Sequence, residues 1–226
     1  MAVVKSVSPL IHAVDPYEGF DASVFEVDLQ GWASSHPIFE SVINKLKPKL
    51  LIEVGTWKGA SAMHMAGLIR KHGLDCELVC IDTFLGSHEH WMNPDHRRSL
   101  NPINGYPSIY RQFIANVIKS GFADIVTPFP IDSRNGALFL RENKIFADAI
   151  YIDACHDYDS VKMDLELYWE VLKFGGFLFG DDFLPMWHGV IRAVSEFADN
   201  VQRPVRFSDE KWYFRKPRMP FDSGTT

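Results

Sequence analysis

Three carboxylates and one imidazole in this chain have the types and the spacing to do chemistry together. Asp153 lies in the run AIYIDACH, His156 follows three residues later, and the pair Asp181-Asp182 ends the run GFLFGDDF. Both runs read as apolar strands that finish on the acids. If the two strands are neighbours in a parallel sheet, their carboxyl ends gather Asp153, Asp181 and Asp182, whose hard oxygen donors suit Mg²⁺, Ca²⁺ or Mn²⁺. A divalent ion held there would lower the pKa of a substrate hydroxyl, and a base such as His156 would remove its proton. The plainer alternatives are that Asp181 or Asp182 caps the following loop and that His156 holds a water or orients substrate.

A second constellation lies about a hundred residues upstream, in LIEVGTWKGAS, where a strand turns into a helix through glycines. In the dinucleotide fingerprint G-x-G-x-x-G the second glycine lets the backbone approach a pyrophosphate, and Trp57 fills that position here. Close pyrophosphate binding is therefore disfavoured. A cofactor made of an adenosine and an amino-acid arm needs only Gly55 for the turn and Gly59 for the helix start. Glu53, at the strand end, suits an ammonium group, and Asp82, at the end of the next strand, can accept hydrogen bonds from both hydroxyls of a ribose. Taken singly, the glycines make a tight turn and Asp82 caps a loop; the ordered set points to a cofactor site.

The elements that must position these residues alternate along the chain. Residues 35–47 read as a helix stopped by Pro48, Leu50–Val54 as a buried strand, and Gly55–Gly59 lead into a helix through Lys71. Glu77–Ile81 form a second strand. Residues 84–107 mix histidines, arginines, a tryptophan and two Asn-Pro steps without periodicity, and read as a structureless, lid-like cover. A helix over Ser108–Lys119, a strand at Ile125–Phe129, a short helix near 136–143 and a strand at Ala149–Ile152 follow. Residues 158–173 place Val161, Leu165, Tyr168 and Leu172 at helical spacing with Gly175-Gly176 as the stop. A strand at Phe177–Phe179, a helix over 190–198 and two terminal strands, Val201–Phe207 and Lys211–Arg215, complete the order. The prediction is a doubly wound α/β domain with a mainly parallel sheet ending in an antiparallel hairpin. Its divisions are an N-terminal extension (1–34), one domain (35–217, with the 84–107 insertion) and a C-terminal tail (218–226).

Length and composition bound the function. The 226 residues, 46% of them apolar and 13% aromatic, suit one domain with a well-buried core. No apolar run approaches the ~18 residues of a membrane span, and the N-terminus lacks a secretory h-region, so a soluble cytoplasmic protein without a membrane partner is expected. A net charge of −6 argues against nucleic acid as partner. Cys76, Cys80 and Cys155 fall in or beside strands and read as small buried apolar residues rather than a disulfide framework. Pro9–Gln30 is apolar enough to pack on a second subunit of a homo-oligomer or to cover its own active site. Trp187 and His188, just beyond Asp182, are placed to line an acceptor pocket.

LIEVGTWKGAS, CIDTF, PIDS and YIDACHDYDSVKMDLELYWEVLKFGGFLFGDDF together resemble the class I S-adenosylmethionine-dependent methyltransferases. The resemblance is closest to the small-molecule O-methyltransferase branch that carries I-D-G-D-H-x-Y in this place. It covers roughly residues 50–200. It implies a seven-stranded Rossmann-like sheet, S-adenosylmethionine as cofactor and a small-molecule hydroxyl as acceptor. By this resemblance Glu53 and Gly55 line the methionine arm, Asp82 holds the ribose, and Asp132 with Ser133 flanks the adenine. Thr56, Gly59, Thr83 and Asp153 complete the cofactor-binding set. The catechol-type members are similar in spacing, with Asp-x-x-Lys followed by Asp-Asn holding Mg²⁺, so that His156 stands in the place of the lysine base. Two departures stand out: Ala154-Cys155 replaces Gly-Asp, and Trp57 is bulky where many members have glycine. The rival readings are a nucleotide-dependent oxidoreductase on the same kind of sheet and a non-catalytic protein that keeps the cofactor pocket.

Overall fold

The computed structural model describes residues 3–218. Five parallel strands form the body of the sheet: β1 (Leu50–Val54), β2 (Glu77–Asp82), β3 (Val126–Pro130), β4 (Ala147–Ile152) and β5 (Leu172–Gly180). The short strand β6 (Arg206–Ser208) and β7 (Lys211–Arg215) make the antiparallel hairpin, and β7 pairs with β5. The seven strands run in the order β3-β2-β1-β4-β5-β7-β6. The chain therefore reverses direction across the sheet between β1 and β4, which is where an open α/β sheet forms a crevice at its carboxyl edge.

Nine α-helices and one short 3-10 helix (Ala22–Val24) accompany the sheet among the described residues; the α-helices are α1 (Ser8–Ile11), α2 (Pro37–Leu46), α3 (Ala60–Lys71), α4 (His88–Met92), α5 (Pro94–Ser99), α6 (Ile109–Lys119), α7 (Ser133–Glu142), α8 (Tyr158–Glu170) and α9 (His188–Asn200). Every residue of β1 is buried, and its side chains alternate between two cores, as the period of a strand demands. Leu51 joins residues of α2, α3 and α6 in one core, whereas Leu50, Ile52 and Val54 join α7, α8 and α9 in the other. Both faces are covered, so the central strands read as continuous apolar runs.

The N-terminal segment is tied to this body by one buried acid. Glu77, at the start of β2, accepts the backbone N–H groups of Ser6, Val7 and Ser8 at 2.6–2.9 Å and the Thr127 hydroxyl at 2.8 Å. Further along, Lys58 is 5% exposed and donates to Asp28 at 2.6 Å and to Gln30 at 2.9 Å. Asn116 of α6 donates to the carbonyls of both Asp28 and Lys58. Residues 28–30 are thus packed over the turn after β1.

Three sequence expectations need correction. The helix read over 158–173 ends at Glu170, and Gly175-Gly176 lie inside β5 rather than stopping a helix. The β4–β5 register shifts between Ala147 and Ala149, and Gly175 has φ +79, so the glycine pair builds a bulge. Of the strand read over Val201–Phe207 only Arg206 and Phe207 pair, since Val201 caps α9 and Pro204 has no N–H to donate. The segment 84–107 is structured: α4, α5 and a bridge between Ile103 and Tyr106 occupy it. Of the tail, residues 219–226 lie outside the described residues.

Candidate active site

The turn after β1 and the end of β4 meet backbone to backbone. Gly55 has φ +80, and a Cβ there would lie 2.0 Å from the Asp153 carbonyl oxygen, so only glycine fits. Gly59, at φ +89, opens α3 where a Cβ would press on Phe113 at 2.8 Å. Between them Trp57 takes a left-handed backbone, φ +51, that a bulky residue rarely adopts. Asp82 holds this loop in place, one carboxylate oxygen accepting from Thr56 N and Trp57 N, each at 2.9 Å, while the other accepts from Phe84 N at 2.6 Å. Burial raises the Asp82 pKa against the opposing effect of these backbone donors.

Glu53 is fully buried, and its oxygens accept from the hydroxyls of Thr56 and Ser61, with the Cys80 thiol at 3.6 Å. Burial pushes its pKa up to about 7 in spite of these donors. In this arrangement Glu53 braces the turn from beneath. Thr83 is exposed and accepts from Leu85 N. Asp132 is the N-cap of α7, accepting from Asn135 N at 2.9 Å, and Ser133 begins that helix. The hydrogen bonds from Asn135 outweigh its slight burial and lower the Asp132 pKa.

At the ends of β4 and β5, one ligand atom each from Asp153, His156 and Asp182 lies within 4.8 Å of the others. Asp181 is not in that group. Its Oδ2 pairs with the fully buried Lys211 and accepts from Tyr151 OH at 3.2 Å, while Oδ1 accepts from Asp182 N at 2.8 Å. A buried carboxylate needs such a counter-charge, so Asp181 serves the hairpin and Asp182 faces the site, its backbone at φ +65. The single Tyr151 proton is shared between Asp181 and Asp153, the latter at 3.0 Å, and the Tyr151 oxygen accepts from Lys211 at 3.0 Å. Burial first, then the charges of Asp181 and Asp182, push the Asp153 pKa up to about 8. That repulsion marks a place where a cation would be stabilised.

His156 sits between two carboxylates, Nε2 at 2.9 Å from Asp182 Oδ2 and Nδ1 at 2.8 Å from Glu89 Oε2. Its ring packs on Trp187, with centroids 4.1 Å apart. Burial works to lower its pKa, but the hydrogen bond and charge of Asp182 together with Glu89 raise it to about 9. Glu89 is carried by α4, and the next residue, His90, stacks on Trp57 at 4.2 Å and 21°. His90 in turn lies 5.7 Å from His96, which is 5.4 Å from Trp32. The expected cover is therefore seated on both halves of the site. Trp187 lies against His156, whereas His188 is exposed and begins α9.

Sequence reasoning missed three members. Tyr151 carried a signal, since residues two apart on a strand share a face and Asp153 is two residues on. Lys211 read only as the first residue of the last strand. Glu89 lay in a segment without periodicity.

Comparison with known proteins agrees with this architecture. Residues 52–183, more than half of the chain, match the family described as Methyltransferase domain. A search of curated protein sequences returned no match. Among solved structures, the O-methyltransferase NovP is similar at 20% identity and a TM-score of 0.60, covering 80% of this chain and 76% of its own. CalS11, a calicheamicin methyltransferase, shows 20% identity and a TM-score of 0.58 over 79% of this chain and 77% of its own. An O-methyltransferase from Bacillus cereus in complex with SAH has 14% identity and a TM-score of 0.54 over 85% and 83%. With its glycine turn, its sheet order and this match together, the chain belongs to the methyltransferase-domain family.

Proposed function

We propose that this chain transfers a methyl group from S-adenosylmethionine to a hydroxyl of a small molecule, with a divalent metal at the acceptor side. The observation that carries the reading is the contact of Gly55 with Asp153, which sets the cofactor turn against the Asp153–His156–Asp182 group. When bound, the cofactor supplies an electrophilic methyl group and the metal polarises the acceptor oxygen. The bracing by Glu53 and Asp82 keeps the turn open in one shape, and Asp82 retains an acceptor site for a ribose hydroxyl after its three backbone bonds. Thr56, Gly59 and Thr83 lie in or beside that turn, with Asp132 and Ser133 on the far side of β2 for the adenine.

The donor set fits a hard divalent cation such as Mg²⁺: Asp153 and Asp182 offer carboxylate oxygens, and their mutual repulsion is relieved by positive charge. Asp181 enters this proposal as the residue that anchors its neighbour through Lys211, not as a ligand. His156 is the base. Once Asp182 is occupied by a cation, Glu89 alone favours the imidazolium, and Nε2 is the ring nitrogen left facing the site to take the hydroxyl proton. Trp187 packs against one face of the ring. Several oxygen-methylating solved structures share the sheet, including the O-methyltransferase TomG in complex with SAM.

The test is methyl transfer from labelled S-adenosylmethionine to a panel of phenols, sugars and polyketide alcohols, with and without EDTA. Product that disappears with EDTA, returns with Mg²⁺ and is lost in Asp182→Asn supports the reading. Product formation unaffected by both would remove the metal from it, and no transfer to any acceptor despite tight cofactor binding would favour a non-catalytic binding protein.

A further inference from the structure

The lid helix α4 presents two adjacent residues to two different parts of the site. His90 stacks on Trp57 of the cofactor turn, and Glu89 reaches 2.8 Å to Nδ1 of His156 at the end of β4. These contacts do different work. His90 is also built into its own helix, because its Nδ1 accepts from the backbone N–H of Ser87 at 3.1 Å. Burial, and then the proximity of His96, lower its pKa to about 4, so it is a neutral ring suited to stacking. Glu89, in contrast, is about a quarter exposed, lies on a helix of only five residues, and has its one side-chain partner among the described residues in His156.

We propose that Glu89 is the positioning residue for His156, fixing Nδ1 so that Nε2 points into the site, and that the base is aligned only while α4 is docked. The geometry leaves the imidazole few other holds. Its Nδ1 faces Glu89, its Nε2 faces Asp182, and one ring face rests on Trp187. Trp187 packs against the plane but cannot decide which nitrogen faces the acceptor side. A carboxylate on one nitrogen fixes both the direction and the tautomer of the other. Because Glu89 and His90 are consecutive, seating His90 on the cofactor turn and placing the carboxylate at His156 go together. Cofactor-side order and acceptor-side alignment are thereby coupled through one short helix.

The activity arm of this inference rests on the methyltransferase reading above; the spectroscopic arm does not. In wild-type protein labelled with ¹⁵N-histidine, NMR should show a hydrogen-bonded proton on His156 Nδ1. Glu89→Ala should abolish that signal, while His90→Ala, which loosens the lid but keeps the carboxylate, should broaden it. With an acceptor in hand, Glu89→Ala should lower kcat by about 10- to 100-fold, the range for a residue that orients a site imidazole. KM and S-adenosylhomocysteine affinity should stay within about two-fold of wild type, a change of less than ~0.5 kcal/mol. Absence of the Nδ1 signal in wild type would overturn the proposal whatever the activity. So would an unchanged kcat in Glu89→Ala, or a loss confined to KM and cofactor affinity, which would make α4 a packing element only. Failure of wild-type protein to bind S-adenosylhomocysteine, with the NMR result intact, would instead count against the functional reading.

Discussion

Glu53 is an acid buried under the cofactor turn and held by two hydroxyls. Its folded pKa of about 7 lies above its ordinary 4.5. Below pH 4.5 the group is neutral in both the folded and unfolded chain and costs nothing; as pH rises through 7 the unfolded chain ionises first and stability is lost. The full loss is on the order of 3 kcal/mol. Glu53→Gln should therefore flatten the fall in denaturation midpoint between pH 5 and pH 8 and be the more stable form at pH 8. A parallel fall in wild type and variant would show that Glu53 does not carry it. Gly55 makes a sharper demand, because both its φ and the Asp153 carbonyl exclude a side chain. Gly55→Ala should cost more than the ~1–2 kcal/mol of a left-handed backbone alone, and thermal unfolding would register it. These residue types were legible in the sequence. Their partners were not: Glu53 looked free to meet an ammonium group because nothing in the chain announces that Thr56 and Ser61 turn back onto it.

Among the elements, strands were read well and their neighbours less so. β1 and β7 begin and end where the pattern places them, since an apolar run bounded by Pro48 or by a polar turn leaves little choice. The helix read through residue 173 failed because Leu172 satisfies both a helical stripe and the first pair of β5 with Ala147. Glycines that end a helix and glycines that bulge a strand look alike until pairing decides. Lys211 illustrates a second limit: a lysine in a terminal strand reads as solvated, and only the arrival of Asp181 from β5 makes its burial tolerable. Removing it leaves a buried carboxylate uncompensated. Lys211→Ala should destabilise the protein by about 3–5 kcal/mol, measured as a shift in urea midpoint, and Asp181→Asn in the same background should recover much of that loss. No recovery would mean that Lys211 stabilises through packing on Phe39 and Tyr151 rather than through charge.

At the scale of the whole molecule, the doubly wound order was legible because strand and helix signals alternate from residue 35 onward, and the acids fall at strand ends. What single-sequence patterning could not supply were the contacts through which the expected cover closes over the crevice. The N-terminal segment over Lys58, the α4 contacts to His156 and Trp57, and the Trp32–His96 packing all join residues far apart in the chain. No helix among the described residues is long and apolar enough to cross a membrane. The same sheet edge presents the Asp82-braced turn on one side of β1 and the Asp153–His156–Asp182 group on the other. In the proposed function these are two parts of one site, a cofactor half and an acceptor half.

Calorimetric titration with S-adenosylhomocysteine tests that claim most directly, carried out on wild type, Asp82→Ala and Asp182→Asn. Micromolar binding to wild type, at least about ten-fold weaker binding to Asp82→Ala (~1.4 kcal/mol) and near wild-type binding to Asp182→Asn are the predicted results. Absence of binding to wild type, or equal weakening in both variants, would contradict the division of the site.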